Sequence, residues 1–305
     1  MEIIDDAGAA SGPTTCFYHH DRETGRRCTR CGRPACPDCL HSASVGSHCW
    51  ECIKAAAPPR KEQIRRAVRG EDLLVTKILI AINVAVFIPT VLSGGIGGRS
   101  SSSFHVDWAL NGKLVAAGEW YRLLTSGFLH FGIIHLGLNM YILYQLGLTL
   151  ERGGAGRMRY IAIYFASLFA GSFLALILSP DGLTAGASGA VYGVAGAATI
   201  GLARRGVPFA STGWGPMLII NLLFTFSASG ISVGGHVGGL IGGLVTGYLL
   251  LDPRLGQRPR TGFIVAVAIV VFSIGASVGA MQSRYGSCET AGQGLNTRIA
   301  CERNN

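Results

Sequence analysis

From Leu73 onward the chain repeats apolar runs of 17 or more residues, and no other feature constrains its fold as strongly. Each run is long enough to cross a bilayer core of about 30 Å. Seven are read, at about 74–92, 128–150, 160–178, 184–203, 209–229, 233–251 and 262–282. Lys77 lies near the start of the first, and the other six contain no Lys, Arg, Asp or Glu. Only 14% of all residues are charged, against about 25% in an ordinary soluble domain. Mean hydropathy is +0.39, which excludes intrinsic disorder as well. The expected class is an all-α polytopic membrane protein, located in the cell membrane.

Basic residues in short loops predict its orientation. The stretch before the first span carries Lys54, Arg60, Lys61, Arg65, Arg66 and Arg69 against the single acid Glu62. The loops after spans 2, 4 and 6 are also basic, with Arg152, Arg157, Arg159, Arg204, Arg205, Arg254, Arg258 and Arg260. Those after spans 3 and 5 have no Lys or Arg, and the long loop after span 1 has only Arg99, Lys113 and Arg122. The alternation predicts a cytoplasmic N-terminus and, after seven spans, an extracytoplasmic tail. The first dozen residues lack the basic and apolar regions of a signal peptide.

Seven of the nine cysteines lie between Cys16 and Cys52. They form four ligand pairs, Cys16/His19, Cys28/Cys31, Cys36/Cys39 and Cys49/Cys52, each with two residues between its members. That spacing lets both side chains of a pair reach one ion, and eight ligands suit two tetrahedral Zn²⁺ sites. Disulfides are the competing reading, and a reducing cytoplasm disfavours them. So short a segment buries little core, so metal would supply most of its folding energy. His20, His41 and His48 are candidates to substitute for one of these eight ligands. A closed four-ligand site leaves no position for chemistry, so the head is expected to be structural or to bind a cytoplasmic protein partner. Its charges are nearly balanced, and no nucleic acid is expected.

Ionisable or nucleophilic side chains inside a membrane are costly and point to function. Span 2 opens with His130, His135 and Asn139, span 4 with Ser188 and Tyr192, and span 6 with His236. These three spans run in the same direction, so the polar groups share one depth in the outer leaflet. Gly189, Gly193, Ala197 and Gly201 recur every four residues in span 4, as do Gly235, Gly239, Gly243 and Gly247 in span 6. Small-residue stripes let helix backbones approach closely. If they face each other, Ser188 comes within hydrogen-bond reach of His236, as a nucleophile beside its base. Taken singly, an intramembrane serine usually bonds its own helix and a lone histidine usually packs.

The strings W-Y-R (Trp120, Arg122), H-x4-H-x3-N (His130, His135, Asn139), G-A-S-G-x2-Y-G (Gly186 to Gly193) and G-H-x2-G (Gly235 to Gly239) resemble the rhomboid intramembrane serine proteases. Glu151, at the end of span 2, also fits. The resemblance covers about 73–251, and the Cys-rich head resembles B-box-type zinc fingers. It implies a six-helix rhomboid core plus a seventh C-terminal transmembrane helix, behind a small N-terminal zinc-binding domain. The implied division is a disordered N-terminus (1–14), the zinc-binding domain (15–54), a basic linker (55–72), the catalytic core (73–251), the seventh helix (252–283) and an extracytoplasmic tail (284–305).

The resemblance further implies that Ser188 attacks a scissile carbonyl and that His236 carries the proton. Tyr192 would pack on the His236 ring, with aromatic core filling as its plainer reading. His135, Asn139 and the Ser188 N–H would form the oxyanion hole. Gly186 and Gly189 would permit a tight start to the nucleophile helix. His130 would brace the first external loop, and Trp120 and Arg122 would seat that loop in the lipid interface. Span 5, with Trp214, Phe224 and Phe226, would be a lateral gate. The substrates would be transmembrane segments of other proteins, cut near the outer face within the lipid bilayer, with no cofactor for catalysis. In the B-box analogy pairs one and three share one ion, and two and four the other. Two rival readings stand beside this one: a non-catalytic rhomboid-like escort of membrane clients, and a transporter. Intact Ser188, His236, His135 and Asn139 argue against the first, and confinement of the polar cluster to one leaflet against the second. Cys288 and Cys301 in the tail are expected to form a disulfide.

Overall fold

A computed structural model describes residues 14–43, 45–56, 73–94, 102–227, 230–251 and 259–302. The expected disordered stretch, apart from Thr14, and the linker beyond Ala56 lie outside the described residues. The chain divides into two compact units, Met1–Glu71 and Asp72–Asn305.

Among its described residues the first unit has two small hairpins, a 3₁₀ turn (Pro37–Cys39) and one short helix. Strand β1 (Thr14–Thr15) pairs antiparallel with β2 (Glu23–Thr24). Strand β3 (Leu40–Ser42) pairs with β4 (Ser47–Cys49), His41 standing opposite His48, and α1 (Trp50–Ala56) follows. Its buried apolar cluster is small, centred on Cys16, Ala35 and Cys36. So little core cannot fold a domain of this size unaided.

The second unit is helical and belongs to a multi-pass membrane protein. Its elements are α2 (Leu74–Leu92), three short helices α3 (Ser103–Trp108), α4 (Gly112–Ala116) and α5 (Arg122–Thr125), then α6 (Ile133–Leu150) and α7 (Arg157–Leu178). There follow α8 (Ser188–Ala203), α9 (Gly215–Ser227), α10 (Val233–Leu251) and α11 (Pro259–Tyr285). Strands β5 (Ser287–Ala291) and β6 (Arg298–Glu302) close the chain as an antiparallel hairpin. Five of these helical stretches are long and apolar enough to cross a membrane, and Ser188–Ala203 and Gly215–Phe226 are shorter apolar helices. With 16 residues, α8 rises only about 24 Å.

The helix bounds differ from the apolar runs where the backbone has other partners. The second run begins at 128, but α6 starts at Ile133, because Ser126–Phe128 forms a 3₁₀ turn and Leu129 is extended. The fourth begins at 184, but Thr184 bridges to Leu110 and Gly186 holds φ +143°, so α8 starts at Ser188. Residues Phe209–Ser211 form a 3₁₀ turn ahead of α9, and α11 extends beyond its apolar run at both ends.

Helix α10 is the packing centre, with glycine on two faces. Gly235, Gly239, Gly243 and Gly247 meet the Gly189–Ala197 stripe of α8: a Cβ at Gly193 would lie 2.5 Å from the Gly239 carbonyl oxygen. On the other face Gly234, Gly238 and Gly242 meet α7, where a Cβ at Gly238 would lie 2.5 Å from the Ala170 carbonyl oxygen. The second stripe is not anticipated from the sequence. At the end of α6 the buried Glu151 carboxylate accepts from the N–H groups of Val75 and Thr76, each at 2.9 Å, and from Thr76 Oγ1 at 2.7 Å. It thereby satisfies donors at the start of α2 that have no partner within that helix.

The terminal hairpin is closed by a Cys288–Cys301 disulfide. Its turn docks on α3, where the Gly294 N–H donates to Asp107 at 2.6 Å. Tyr285, at the end of α11, donates to Asp181 at 2.7 Å.

Candidate active site

Ser188 is the first residue of α8, and His236 lies in the first turn of α10. The glycine contacts hold these two backbones together, and Ser188 Oγ stands 2.7 Å from His236 Nε2. Tyr192, one turn after Ser188, stacks on the His236 ring with centroids 4.3 Å apart and planes 25° from parallel. His236 is 5% exposed and Tyr192 2%. A cavity of about 730 Å³ opens over this pair, lined by Ser188, His236, His135, Asn139, Gly186 and Tyr192 among others.

His135 and Asn139 line this cavity from α6, one turn apart. Asn139 donates one amide hydrogen to the His135 carbonyl at 2.9 Å, and an amide carries two. Gly186 sits between His135 and Ser188. Its positive φ suits only glycine, and a Cβ there would lie 3.0 Å from His135 Cε1. A Cβ at Gly189 would lie 2.9 Å from the Gly235 carbonyl oxygen.

The loop 102–131 approaches the site from one end of the bundle. His130 precedes α6; it is fully buried, and its ring meets the His135 ring edge-on at 5.0 Å. Arg122 departs from the expected lipid-interface role. It is 3% exposed and donates to the carbonyls of Val106 and Ala109, both at 2.8 Å, and to Glu119 at 2.7 Å. The guanidinium has several fixed donors, which suits it to gather loop carbonyls rather than headgroups. Trp120 remains 54% exposed. In α9, Trp214 is buried and donates to Thr149 Oγ1 at 3.2 Å, whereas Phe224 and Phe226 are exposed.

Three further residues join the site that the sequence motifs do not single out. His105 in α3 is fully buried, stacks on Phe131 and donates from Nε2 to the His130 carbonyl. Thr225 Oγ1 lies 2.7 Å from His236 Nδ1, and Asn221 Oδ1 accepts from the Tyr192 hydroxyl at 2.8 Å. Asn221 and Thr225 are four residues apart in an apolar run, the same polar spacing as His135/Asn139 and Ser188/Tyr192.

The first unit brings its ligand pairs together in alternation. Cys16, His19, Cys36 and Cys39 form one group, and Cys28, Cys31, Cys49 and Cys52 the other, with the ligand atoms of each group within 4.8 Å of one another. His20, His41 and His48 belong to neither. Cys36 Sγ and Cys39 Sγ lie 3.5 and 3.2 Å from His19 Nδ1, and Cys31 Sγ lies 3.7 Å from Cys49 Sγ. A tetrahedron with Zn–S arms of about 2.3 Å has edges of about 3.8 Å, so both groups fit a metal of that size.

Residues 117–253 match the family described as Rhomboid domain. The rhomboid protease GluP of Bacillus subtilis (strain 168) is 35% identical over 204 residues, 66% of this chain and 39% of that protein. Two Arabidopsis thaliana proteins match over 101 residues. RHOMBOID-like protein 6, mitochondrial, is 42% identical over 33% of each chain. RHOMBOID-like protein 7 is 41% identical over 33% of this chain and 32% of its own. The matched part of the chain thus spans about two fifths or less of each of these relatives. The domain match and the relatives together support the rhomboid family for this chain.

Proposed function

We propose that the chain is an intramembrane serine endopeptidase. The observation that carries this reading is the 2.7 Å contact between Ser188 Oγ and His236 Nε2 inside a cavity among apolar helices. Ser188 attacks the scissile carbonyl while His236 takes its proton, then returns it to the leaving amine. Water hydrolyses the resulting acyl-enzyme with His236 again as base. His135, Asn139 and the Ser188 N–H face the developing oxyanion, each such donor contributing about 3–4 kcal/mol to the transition state. Tyr192 holds the His236 ring, and His130, with the loop behind it, supports His135. Trp120 anchors that loop at the membrane surface.

The substrates are transmembrane segments of other proteins, cut near the outer face of the membrane, with the N-terminus of this chain in the cytoplasm. The two groups in the first unit hold Zn²⁺ as structural ions, Cys16, His19, Cys36 and Cys39 around one and Cys28, Cys31, Cys49 and Cys52 around the other.

The test is cleavage of a reporter transmembrane segment by the purified full chain, with Ser188→Ala and His236→Ala beside it. Cleavage by the wild type and none by either variant is expected. Cleavage that persists in Ser188→Ala overturns the mechanism. A wild type without Ser188-dependent cleavage favours the non-catalytic escort.

A further inference from the structure

We propose that Thr225 and Asn221, on α9, are positioning residues that fix the tautomer of His236 and the seat of Tyr192, so that the Ser188–His236 pair is wired for proton transfer only while α9 is docked. The proposal rests on the protease reading above and adds two residues to it.

One hydrogen, on the Thr225 hydroxyl, decides the arrangement. A threonine hydroxyl has a single proton to donate and can also accept. Thr225 is 1% exposed, so water does not satisfy it. Its Oγ1 lies 3.0 Å from the Asn221 carbonyl oxygen and 2.7 Å from His236 Nδ1. A carbonyl only accepts. Both contacts are hydrogen bonds in just one arrangement: the hydroxyl donates to the carbonyl, and Nδ1–H of His236 donates to the hydroxyl. A neutral imidazole with its hydrogen on Nδ1 has a lone pair on Nε2. That lone pair faces Ser188 Oγ at 2.7 Å, where a base must be. In the reverse arrangement Thr225 donates to Nδ1, Nε2 carries the hydrogen, and the imidazole cannot accept from Ser188.

Asn221 carries the second half. The Tyr192 hydroxyl donates to its Oδ1 at 2.8 Å, and the Tyr192 ring stacks on His236. One residue of α9 therefore receives Tyr192 through its side chain and Thr225 through its carbonyl. The other side of the helix presents Ile219, Ile220, Leu223, Phe224 and Phe226, all exposed. Displacing α9 breaks both bonds at once and leaves the histidine free to adopt either tautomer. The chain has no acidic residue inside its last six apolar runs, and Thr225 takes the place a carboxylate would fill in a triad: it orients the base without itself changing charge.

The test uses the full chain in detergent micelles or bicelles, with ¹⁵N-labelled histidine and Thr225→Val, Thr225→Ser and Asn221→Leu variants. The chain has eight histidines, and the His236 signals are assigned by their loss in His236→Ala. The wild type is expected to show a pyrrole-like Nδ1 and a pyridine-like Nε2 at neutral pH, a readout that needs no substrate. Thr225→Val is expected to mix the two tautomers. It should also lower kcat about 10- to 100-fold, part of the 10²–10⁴ that a positioned base supplies, with KM changed less than about twofold. Thr225→Ser should restore both the spectrum and kcat, and Asn221→Leu should lower kcat with KM held. A wild-type His236 protonated on Nε2 overturns the proposal, and so does a Thr225→Val enzyme as fast as the wild type. If Thr225→Val does not fold, the wild-type spectrum decides alone. Failure of the protease reading shows separately, as a wild type without Ser188-dependent cleavage.

Discussion

His105 donates its Nε2 hydrogen to the backbone carbonyl of His130 at 3.2 Å, 25 residues further along the chain. Its Nδ1 accepts from the Ser102 N–H at 3.2 Å, so the ring is held neutral. The bond ties α3, near the start of the loop 102–131, to the end of that loop where it leads into α6. Burial pushes the His105 pKa below the usual histidine value of about 6.5. With the folded value depressed, the neutral ring's contribution is whole above pH 6.5 and is lost as pH falls from there toward the folded pKa. His105→Phe keeps the stacking on Phe131 but leaves both backbone partners unpaired. It should cost about 1–3 kcal/mol at pH 7.5. Thermal midpoints at pH 7.5 and 5.5 check this: the wild type should lose more on acidification than His105→Phe, and equal losses would count against the assignment.

The α8–α10 contact predicts a sharp asymmetry among glycines. A Cβ on Gly243 would overlap the backbone of Gly193, which cannot turn aside as a side chain could. Gly243→Ala should therefore exceed the ordinary overpacking cost of about 1–3 kcal/mol and abolish labelling of Ser188 by a fluorophosphonate probe. At Gly275 in α11, a Cβ would meet nothing within 4 Å. There, Gly275→Ala should be neutral, or gain up to about 1 kcal/mol of helix propensity. Thermal unfolding in micelles, with probe labelling alongside, separates the two, and a tolerated Gly243→Ala would refute the packing argument.

Removing the disulfide should loosen more than the hairpin that contains it. Cys288 and Cys301 are 13 residues apart, and closing a loop of that size stabilises by about 3 kcal/mol. The hairpin turn holds α3 through Gly294 and Asp107. Cys288→Ser/Cys301→Ser should therefore lose hydrogen-exchange protection in 287–302 and also in 103–108. Unchanged protection at 103–108 would show that the hairpin does not brace the loop.

The interleaved ligand groups predict stoichiometry. The purified chain should carry two zinc ions. Cys36→Ser and Cys28→Ser should each lose one, and chelation should make residues 14–56 protease-sensitive, because metal binding supplies the folding energy of so small a unit. Metal analysis with limited proteolysis checks both, and one ion or none in the wild type would count against paired zinc sites.

What is legible in the sequence follows the range of the interaction. Hydropathy marks the helical segments because burial in lipid acts on every residue of a run. It misplaces the start of α6 and α8, where a 3₁₀ turn, an extended residue and Gly186 govern the backbone. Spacing finds the stripe Gly235/Gly239/Gly243/Gly247 but not Gly234/Gly238/Gly242, because the first has a partner of equal spacing in span 4, whereas α7 offers mainly backbone beside Ala166, Ala170 and Leu174. His105 lies 25 residues from its partner, in a loop with no periodicity to read. Asn221 and Thr225 do carry a signal, a polar pair one turn apart in an apolar run. Arg122 defeats a sequence reading because nothing local distinguishes an arginine that meets headgroups from one that gathers the carbonyls of Val106 and Ala109.

The Glu151 carboxylate sets a condition on biogenesis. It supplies the partners of the Val75 and Thr76 N–H groups but stands 75 residues after Thr76. At a synthesis rate of 5–20 residues per second, it emerges about 4–15 s after the donors it serves. During that interval the start of α2 depends on water or on the insertion machinery for those bonds. The carboxylate cap on the first span therefore forms only after the whole of α6 has been made, and a nascent chain cut short of residue 151 lacks it.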